Sequence, residues 1–295
     1  TATATPIAIA TDAGKPFARA SWGSQLGQLG HSRLTEGNAE GPMSLAASGN
    51  EIVVLDQQNG RLVRWDKDGR PHAAGDARPT VQDIAVAKDG TVAMLDRLSA
   101  KAITLVDERG RTIGEVALSE SRTGETGLLT GVFVDGNTVY VEKGHGALVP
   151  VATLDGKPAD EGAQQLQGRP SRDGTLLLSA RISSGAAGQI ALNAFDRKKG
   201  ALRFARVYQM IAEASAILLL DTDARGVVYL AASSGEEAMI ACIDPQGGQA
   251  IGRVEVAIGA TPDESFRDMA VLDDGTIVYA YATEDGIEYR TARCP

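Results

Sequence analysis

Hydrophobic and polar positions alternate along this chain in short, recurring phrases. Between Ile52 and Arg70 an apolar run, Ile52-Val53-Val54-Leu55, ends at Asp56, and the polar turn Gln57-Gln58-Asn59-Gly60 follows. A second run, Leu62–Trp65, closes at Asp66, and Lys67-Asp68-Gly69 reverses the chain again. β-branched runs bounded by Asn-Gly and Asp-Gly turns are the strongest short-range hairpin signal. From Met43 onward the phrase returns six times, each with a glycine in its first turn: Gly49, Gly90, Gly136, Gly174, Gly226 and Gly275. These glycines stand 38 to 52 residues apart. The strands predicted after them are Ile52–Leu55, Val92–Leu95, Thr138–Val141, Leu176–Ser179, Val227–Leu230 and Ile277–Ala280. A second set of turns recurs downstream at Trp65, Val106, Thr153, Phe195 and Ile243, as in WDKDGR and VDERGR. Glycine gives such turns their positive φ and aspartate caps them, so most of these aspartates are turn chemistry.

A period of this length with four short strands per repeat predicts an all-β fold, a six-bladed β-propeller. No segment shows a helical period; Lys198–Met210 is open to a helix but reads equally well as an outer strand. The last repeat stops at Pro295 without its fourth strand. Phe17–Trp22 is the spare strand, and supplying it from the N-terminal side closes the ring without an unpaired edge. Residues 1–16 then read as a flexible tail, residues 17–295 as one propeller domain, and Gly23–Gly41 as a long connection without apolar pattern.

Composition narrows the function. The chain has 295 residues, 43% hydrophobic and only 4% aromatic, which suits tight turns around a core of small aliphatics. A formal net charge of −9 argues against nucleic acid as a partner. No apolar run approaches the length of a transmembrane segment. The fold is expected to be monomeric. Arginine far outnumbers lysine and alanine is abundant, a bias of GC-rich bacterial genes. The small-residue start TATATP reads either as a mature end after signal cleavage or as an arbitrary boundary, and the first reading places the protein in the periplasm or outside the cell. Cys242 and Cys294 are expected to be free thiols, because the repeat alignment points both sulfurs the same way around the ring.

Two resemblances follow from blade one. Glu40-Gly41-Pro42, then Val54-Leu55-Asp56-Gln57-Gln58-Asn59-Gly60-Arg61-Leu62 and Trp65-Asp66, resembles an NHL-repeat blade. The second repeat keeps Met94-Leu95-Asp96 but has Lys101 where the arginine would fall, and the later repeats keep only the turns. This resemblance implies a six-bladed scaffold for binding. The Glu-Gly-Pro phrase also resembles the start of the gluconolactonase/regucalcin family of metal-dependent lactonases, which makes Glu40 a carried-over ligand. The asparagine phrases of that family are missing, and Gln82 and Arg267 stand where its last carboxylate belongs. A guanidinium there repels the cation a carboxylate would hold.

Other chemistry is thin. His31, His72 and His145 lie in loops, no serine sits in a Gly-x-Ser-x-Gly elbow, and the segment Gly23–Gly30 lacks a strand–helix frame for phosphate. The pattern therefore gives no catalytic residue, metal site or cofactor. One constellation stands out: Glu40, Asp83 and Asp268, with Arg169 and Arg267, fall near inner-strand starts and are expected around one channel mouth, as a hydrated lining or as a site for a cation or small polar ligand. Long loops at the same end carry Glu120, Arg122, Glu125, Asp263 and Glu264, a mixed-charge surface for a protein or peptide partner. The expected function is a non-catalytic binding module; the alternatives are a divergent metal-dependent lactonase and a structural part of an envelope assembly.

Overall fold

The computed structural model describes residues 9–11, 16–32, 39–258 and 265–295. Within them the repeats form six sheets in a ring, the six-bladed propeller that the turn spacing predicted. Blade one is Ser44–Ser48, Glu51–Asp56, Arg61–Trp65 and Pro71–Asp76, and blade two is Asp83–Val86, Val92–Asp96, Ala102–Val106 and Thr112–Ala117. Blade three has three strands, Leu129–Asp135, Thr138–Lys143 and Leu148–Thr153; its outer position is marked by isolated bridges from Ala152 to Pro158 and from Leu148 to Leu166. Blade four is Arg169–Pro170, Leu176–Ser184, Gln189–Asp196 and Ala201–Gln209, so the ambiguous stretch after Lys198 is an outer strand. Blade five is Ala216–Thr222, Val228–Ser234, Glu237–Ile243 and Ala250–Ala257. Blade six is Met269–Val271, Ile277–Ala282 and Gly286–Ala292, completed by Pro16–Ser21.

Propeller blades are covered on both faces, which explains why their middle strands are apolar without alternation. Ile52 and Val54 point into the core shared with blade six, whereas Val53 and Leu55 point into the core shared with blade two. All four are fully buried. Each such side chain contributes about 1.5–3 kcal/mol, so a single strand fastens two seams at once.

Ring closure follows the expectation within one residue. Pro16–Ser21 runs antiparallel to Gly286–Ala292, with Ala18 opposite Tyr289 and Ala20 opposite Ile287. The alternate side chains Ala18 and Ala20 are buried in the seam with blade one. Inside the stretch read as a tail, Ile9–Thr11 pairs in parallel with Arg253–Glu255 on the outer strand of blade five. The connection after Trp22 is held down by the NHL-like phrase itself. Asp56 accepts the Gly30 N–H at 2.8 Å, Asn59 donates to the Gly23 carbonyl at 2.8 Å, and Arg61 donates to the Ser24, Gln25 and Gln28 carbonyls at 2.8, 2.9 and 2.9 Å. Trp22 stacks on His31 with ring centroids 4.4 Å apart.

The expectation of free thiols is overturned: Cys242 and Cys294 form a disulfide. The alignment failed at the terminus. After Ala292 the chain leaves the ladder of blade six, and Cys294 packs against Gly252, the residue paired with Cys242 on the next strand of blade five. Any side chain at Gly252 would meet the Cys294 Cβ, so that glycine makes the crossing possible.

Candidate functional site

The first residues of the inner strands meet at the channel end that also carries the long loops. Asp83 opens the inner strand of blade two and is fully buried. It accepts the Ser44 hydroxyl of blade one at 2.7 Å and the Val132 N–H of blade three at 2.8 Å. Its third partner comes from the other side of blade one. Arg267, just before the inner strand of blade six, donates to Asp83 at 2.8 Å and to the Val132 and Ile84 carbonyls at 3.3 and 3.4 Å. The Arg267 guanidinium also lies 5.1 Å from the Phe133 ring centre, and Arg169 lies 4.9 Å from the same ring. Phe133 thus takes two cations, each a favourable contact on a π-face.

Arg169 forms a two-pronged pair with Glu142 of blade three, at 2.8 and 3.0 Å. Glu142 is almost wholly buried and also accepts the Thr130 hydroxyl at 2.9 Å. Burial alone would raise its carboxyl; the bonds from the His145 ring, Arg169 and Thr130 outweigh that and hold it at about 2. Burial likewise disfavours the Arg169 cation, but Glu142, with Asp83 and Asp221 nearby, pushes its proton affinity above the ordinary value. Farther along the channel Arg172 of blade four repeats the device: it donates to Asp221 of blade five at 3.0 Å, to Asp273 of blade six at 2.9 Å, and to the Val271 carbonyl. Its backbone N–H bonds the Thr222 hydroxyl at 2.8 Å.

Chemically this is a set of charged struts. The carboxylates of Asp83 and Glu142 already face guanidinium groups, so a cation entering here would have to displace an arginine from a buried pair. Among the described residues no three His, Cys, Asp or Glu side chains converge as metal ligands.

Of the residues singled out by sequence, Asp83, Arg267 and Arg169 come together. Glu40 lies apart, accepting the Gln58 amide at 2.6 Å and bridging through its backbone to Ser32. Asp268 lines a cavity between blades six and one that Ser44 and Arg267 also border. Glu120 pairs with Lys101 at 3.3 Å at the start of a one-turn helix, Glu120–Thr123. Arg122 serves structure, donating to the Pro150, Ala159 and Asp160 carbonyls of blade three at 3.3, 2.9 and 3.3 Å. Glu125 is exposed, and Asp263 and Glu264 lie outside the described residues. Sequence reasoning missed Glu142 and Phe133. The signal for Glu142 was available: it follows the apolar run of the second strand of its blade, one residue before that strand ends at Lys143, much as Asp56 and Asp96 follow theirs. Phe133 carried none, since an aromatic on an inner strand reads as core.

The family model described as outer membrane protein assembly factor BamB matches residues 7–206. The chain belongs to this family. No curated protein matches it. Among solved structures the chain is similar to a gluconolactonase of Xanthomonas campestris (16% identity, 98% of this chain and 99% of that one, TM-score 0.49). It is similar also to virginiamycin B lyase of Staphylococcus aureus (15%, 89% and 88%, TM-score 0.44) and to BamB of Moraxella catarrhalis (14%, 85% and 86%, TM-score 0.45). No helix among the described residues is long and apolar enough to cross a membrane.

Proposed function

We propose that this chain is a non-catalytic binding module of a bacterial envelope, docking an outer membrane assembly partner on the loop-bearing end of the ring. The observation that carries this reading is a set of exposed leucines there. Leu26, Leu98 and Leu128 are each 55% exposed, and all three belong to connections at that end. Leu98 and Glu125 both approach Gly127, which brings apolar and acidic groups into one patch with Leu128. Apolar anchors inside a charged rim are the usual anatomy of a moderate-affinity protein contact.

Three further observations support it. The family is that of an assembly factor. The disulfide between Cys242 and Cys294 belongs to an oxidising compartment such as the periplasm. The NHL-like phrase of blade one implies a scaffold, and here its Asp56, Asn59 and Arg61 hold a surface connection in place. The rival lactonase reading needs Glu40 among converging ligands, whereas Glu40 bonds Gln58 on the surface.

The test uses the whole chain, immobilised and washed with envelope extract. Leu98→Asp with Leu128→Asp, and separately Glu120→Lys with Glu125→Lys, should lower recovery of an outer membrane assembly component at least tenfold, with unchanged melting. Glu40→Gln should leave recovery intact. Equal recovery by both double variants, or a metal-dependent lactonase activity that Glu40→Gln removes, would overturn the reading.

A further inference from the structure

Blade three has no outer strand, and the loss is felt by its neighbour. Its own edge is closed: Leu148 exchanges backbone bonds with Leu166 at 2.8 and 3.0 Å, Val151 accepts the Ala159 N–H at 3.0 Å, and Arg122 takes the Pro150 carbonyl. Leu166 and Tyr140 reach across only as far as Leu177, in the second strand of blade four. Beyond that point the face that blade four turns toward blade three is bare. Leu177, Phe195 and Leu202 stand opposite one another across its strands, and so do Arg181, Ala191 and Val207. Cross-strand partners share a face. On it Phe195, Leu202 and Val207 are 38%, 58% and 59% exposed.

The outer strand of blade four, Ala201–Gln209, is also an open edge. It has nine residues, against six in the outer strands of blades one, two and six, and no strand pairs on its far side. The outer strand of blade five is covered by Ile9–Thr11, so a blade of this ring does accept a further strand. Such edges are usually blunted by proline or by charges held out from the strand. This one has no proline, and its arginines are turned aside, Arg203 to Asp196 at 2.6 Å and Arg206 to the Gly247 carbonyl of blade five at 3.2 Å.

Charge decides the occupant. Residues 176–211 hold six cations, Arg181, Arg197, Lys198, Lys199, Arg203 and Arg206, and one carboxylate, Asp196, although the whole chain carries −9. Arg197 is paired with Asp135 and Arg203 with Asp196. The other four form no salt bridge among the described residues. A strand added along Ala201–Gln209 would place alternate side chains beside Leu202 and Val207 on one face and beside Arg206 on the other. We propose that this edge binds, by strand addition, an extended acidic segment of a protein partner that is apolar at every second residue. Its apolar side chains cover Leu202 and Val207, and its carboxylates meet Arg206 and the lysines of the adjoining turn. This surface lies on the side of the ring and does not depend on the leucines of the loop-bearing end.

The probe is a labelled eight-residue peptide alternating valine and glutamate, titrated into the full chain and followed by fluorescence anisotropy. Saturable binding is expected, at least tenfold weaker in Leu202→Asp with Val207→Asp and in Lys198→Glu with Arg206→Glu. The peptide with lysine in place of glutamate should not bind. All four substituted positions are exposed, so the melting curves of both double variants should match that of the wild type. Neighbouring residues of a strand turn their N–H groups to opposite edges. N-methylation of all valines or of all glutamates should therefore abolish binding in one form and spare it in the other. No binding by the wild type, equal binding of the two methylated peptides, or undiminished binding by both double variants would overturn the proposal. Two other occupants would show themselves in the same variants. A dimer in sedimentation velocity that Leu202→Asp with Val207→Asp abolishes, without peptide binding, gives the face to a second copy. Adsorption to phosphatidylglycerol vesicles that both double variants abolish, again without peptide binding, gives it to a membrane. Either result overturns the peptide assignment.

Discussion

The ring is fastened in two different ways on its two sides. Where the chain ends meet, around blades five, six and one, the fasteners are backbone and covalent: Pro16–Ser21 completes blade six, Ile9–Thr11 extends blade five, and a disulfide ties those two blades together. Across blades two, three and four the fasteners are charges: Glu142 with Arg169 and Asp135 with Arg197 at 2.7 Å join blade three to blade four, where the chain runs on continuously, and Asp83 of blade two reaches past blade one to Arg267 of blade six. Continuity explains the difference. A seam crossed by the chain needs only orientation, which a directional ion pair supplies. A seam between two chain ends needs cohesion, and exposed charge pairs give little of that.

The largest break is removal of the closing strand. Deleting residues 1–23 strips blade six of its outer strand, bares the edge of Gly286–Ala292, and uncovers apolar surface beside Trp65 and Tyr289, whose rings lie 5.7 Å apart. The expected cost exceeds about 5 kcal/mol, comparable to the whole stability of many domains, so the deletion should give no soluble folded protein. A deletion that melts like the full chain would show that the ring does not need this closure.

Next comes the charged side. Asp83→Ala should cost about 3–5 kcal/mol in urea denaturation, because it strands the half-buried Arg267 cation, the Ser44 hydroxyl and the Val132 N–H together. Adding Arg267→Met should recover part of that loss; no recovery would mean the pair is not the strut described. Acid probes the neighbouring pair. Glu142 has a folded value of about 2 against 4.5 for the free side chain, so its contribution is complete above 4.5 and is lost as pH falls from 4.5 toward 2. That loss amounts to about 3 kcal/mol. Glu142→Gln should be less stable at neutral pH and should lose the part of the acid response that wild type shows in this window.

Reductant should act on the other side. Opening the disulfide, or Cys242→Ser with Cys294→Ser, should cost about 2–4 kcal/mol at neutral pH without shifting the acid midpoint that Glu142 sets. Additivity of the acid and reductant effects would confirm that the two sides are fastened independently; strong coupling would count against the comparison.

Much of the backbone side was legible in the sequence. Glycine turns at Gly49, Gly90 and their counterparts set the blades, and the missing fourth strand after Arg293 pointed to Phe17–Trp22. The charged side was not. Asp83 and Arg267 were identifiable as inner-strand residues, but pairing them requires knowing that a guanidinium can reach past blade one, which depends on channel width and not on spacing. The disulfide escaped for a similar reason: the repeat register holds only while the chain stays in its ladder, and Cys294 lies two residues beyond the end of its strand.

The smallest effect on stability is the sharpest test, because it compares twins. Asp83 and Asp268 hold the same place in their blades, each seven residues before the first-turn glycine, and each faces the next blade. Asp83 has three partners from three blades, whereas Asp268 faces a cavity. Asp268→Asn should therefore change stability by no more than about 1 kcal/mol, against several for the matching change at Asp83. Its sign follows from the raised carboxyl. A carboxyl whose folded value lies above its unfolded one stabilises the fold at low pH, and that contribution disappears as pH climbs through the folded value. Wild type should lose stability over that climb and Asp268→Asn should not, so the variant should equal or exceed wild type at neutral pH. A clear drop for Asp268→Asn at neutral pH would mean that its carboxylate is a strut like Asp83, and that the two sides of the ring are more alike than the geometry indicates.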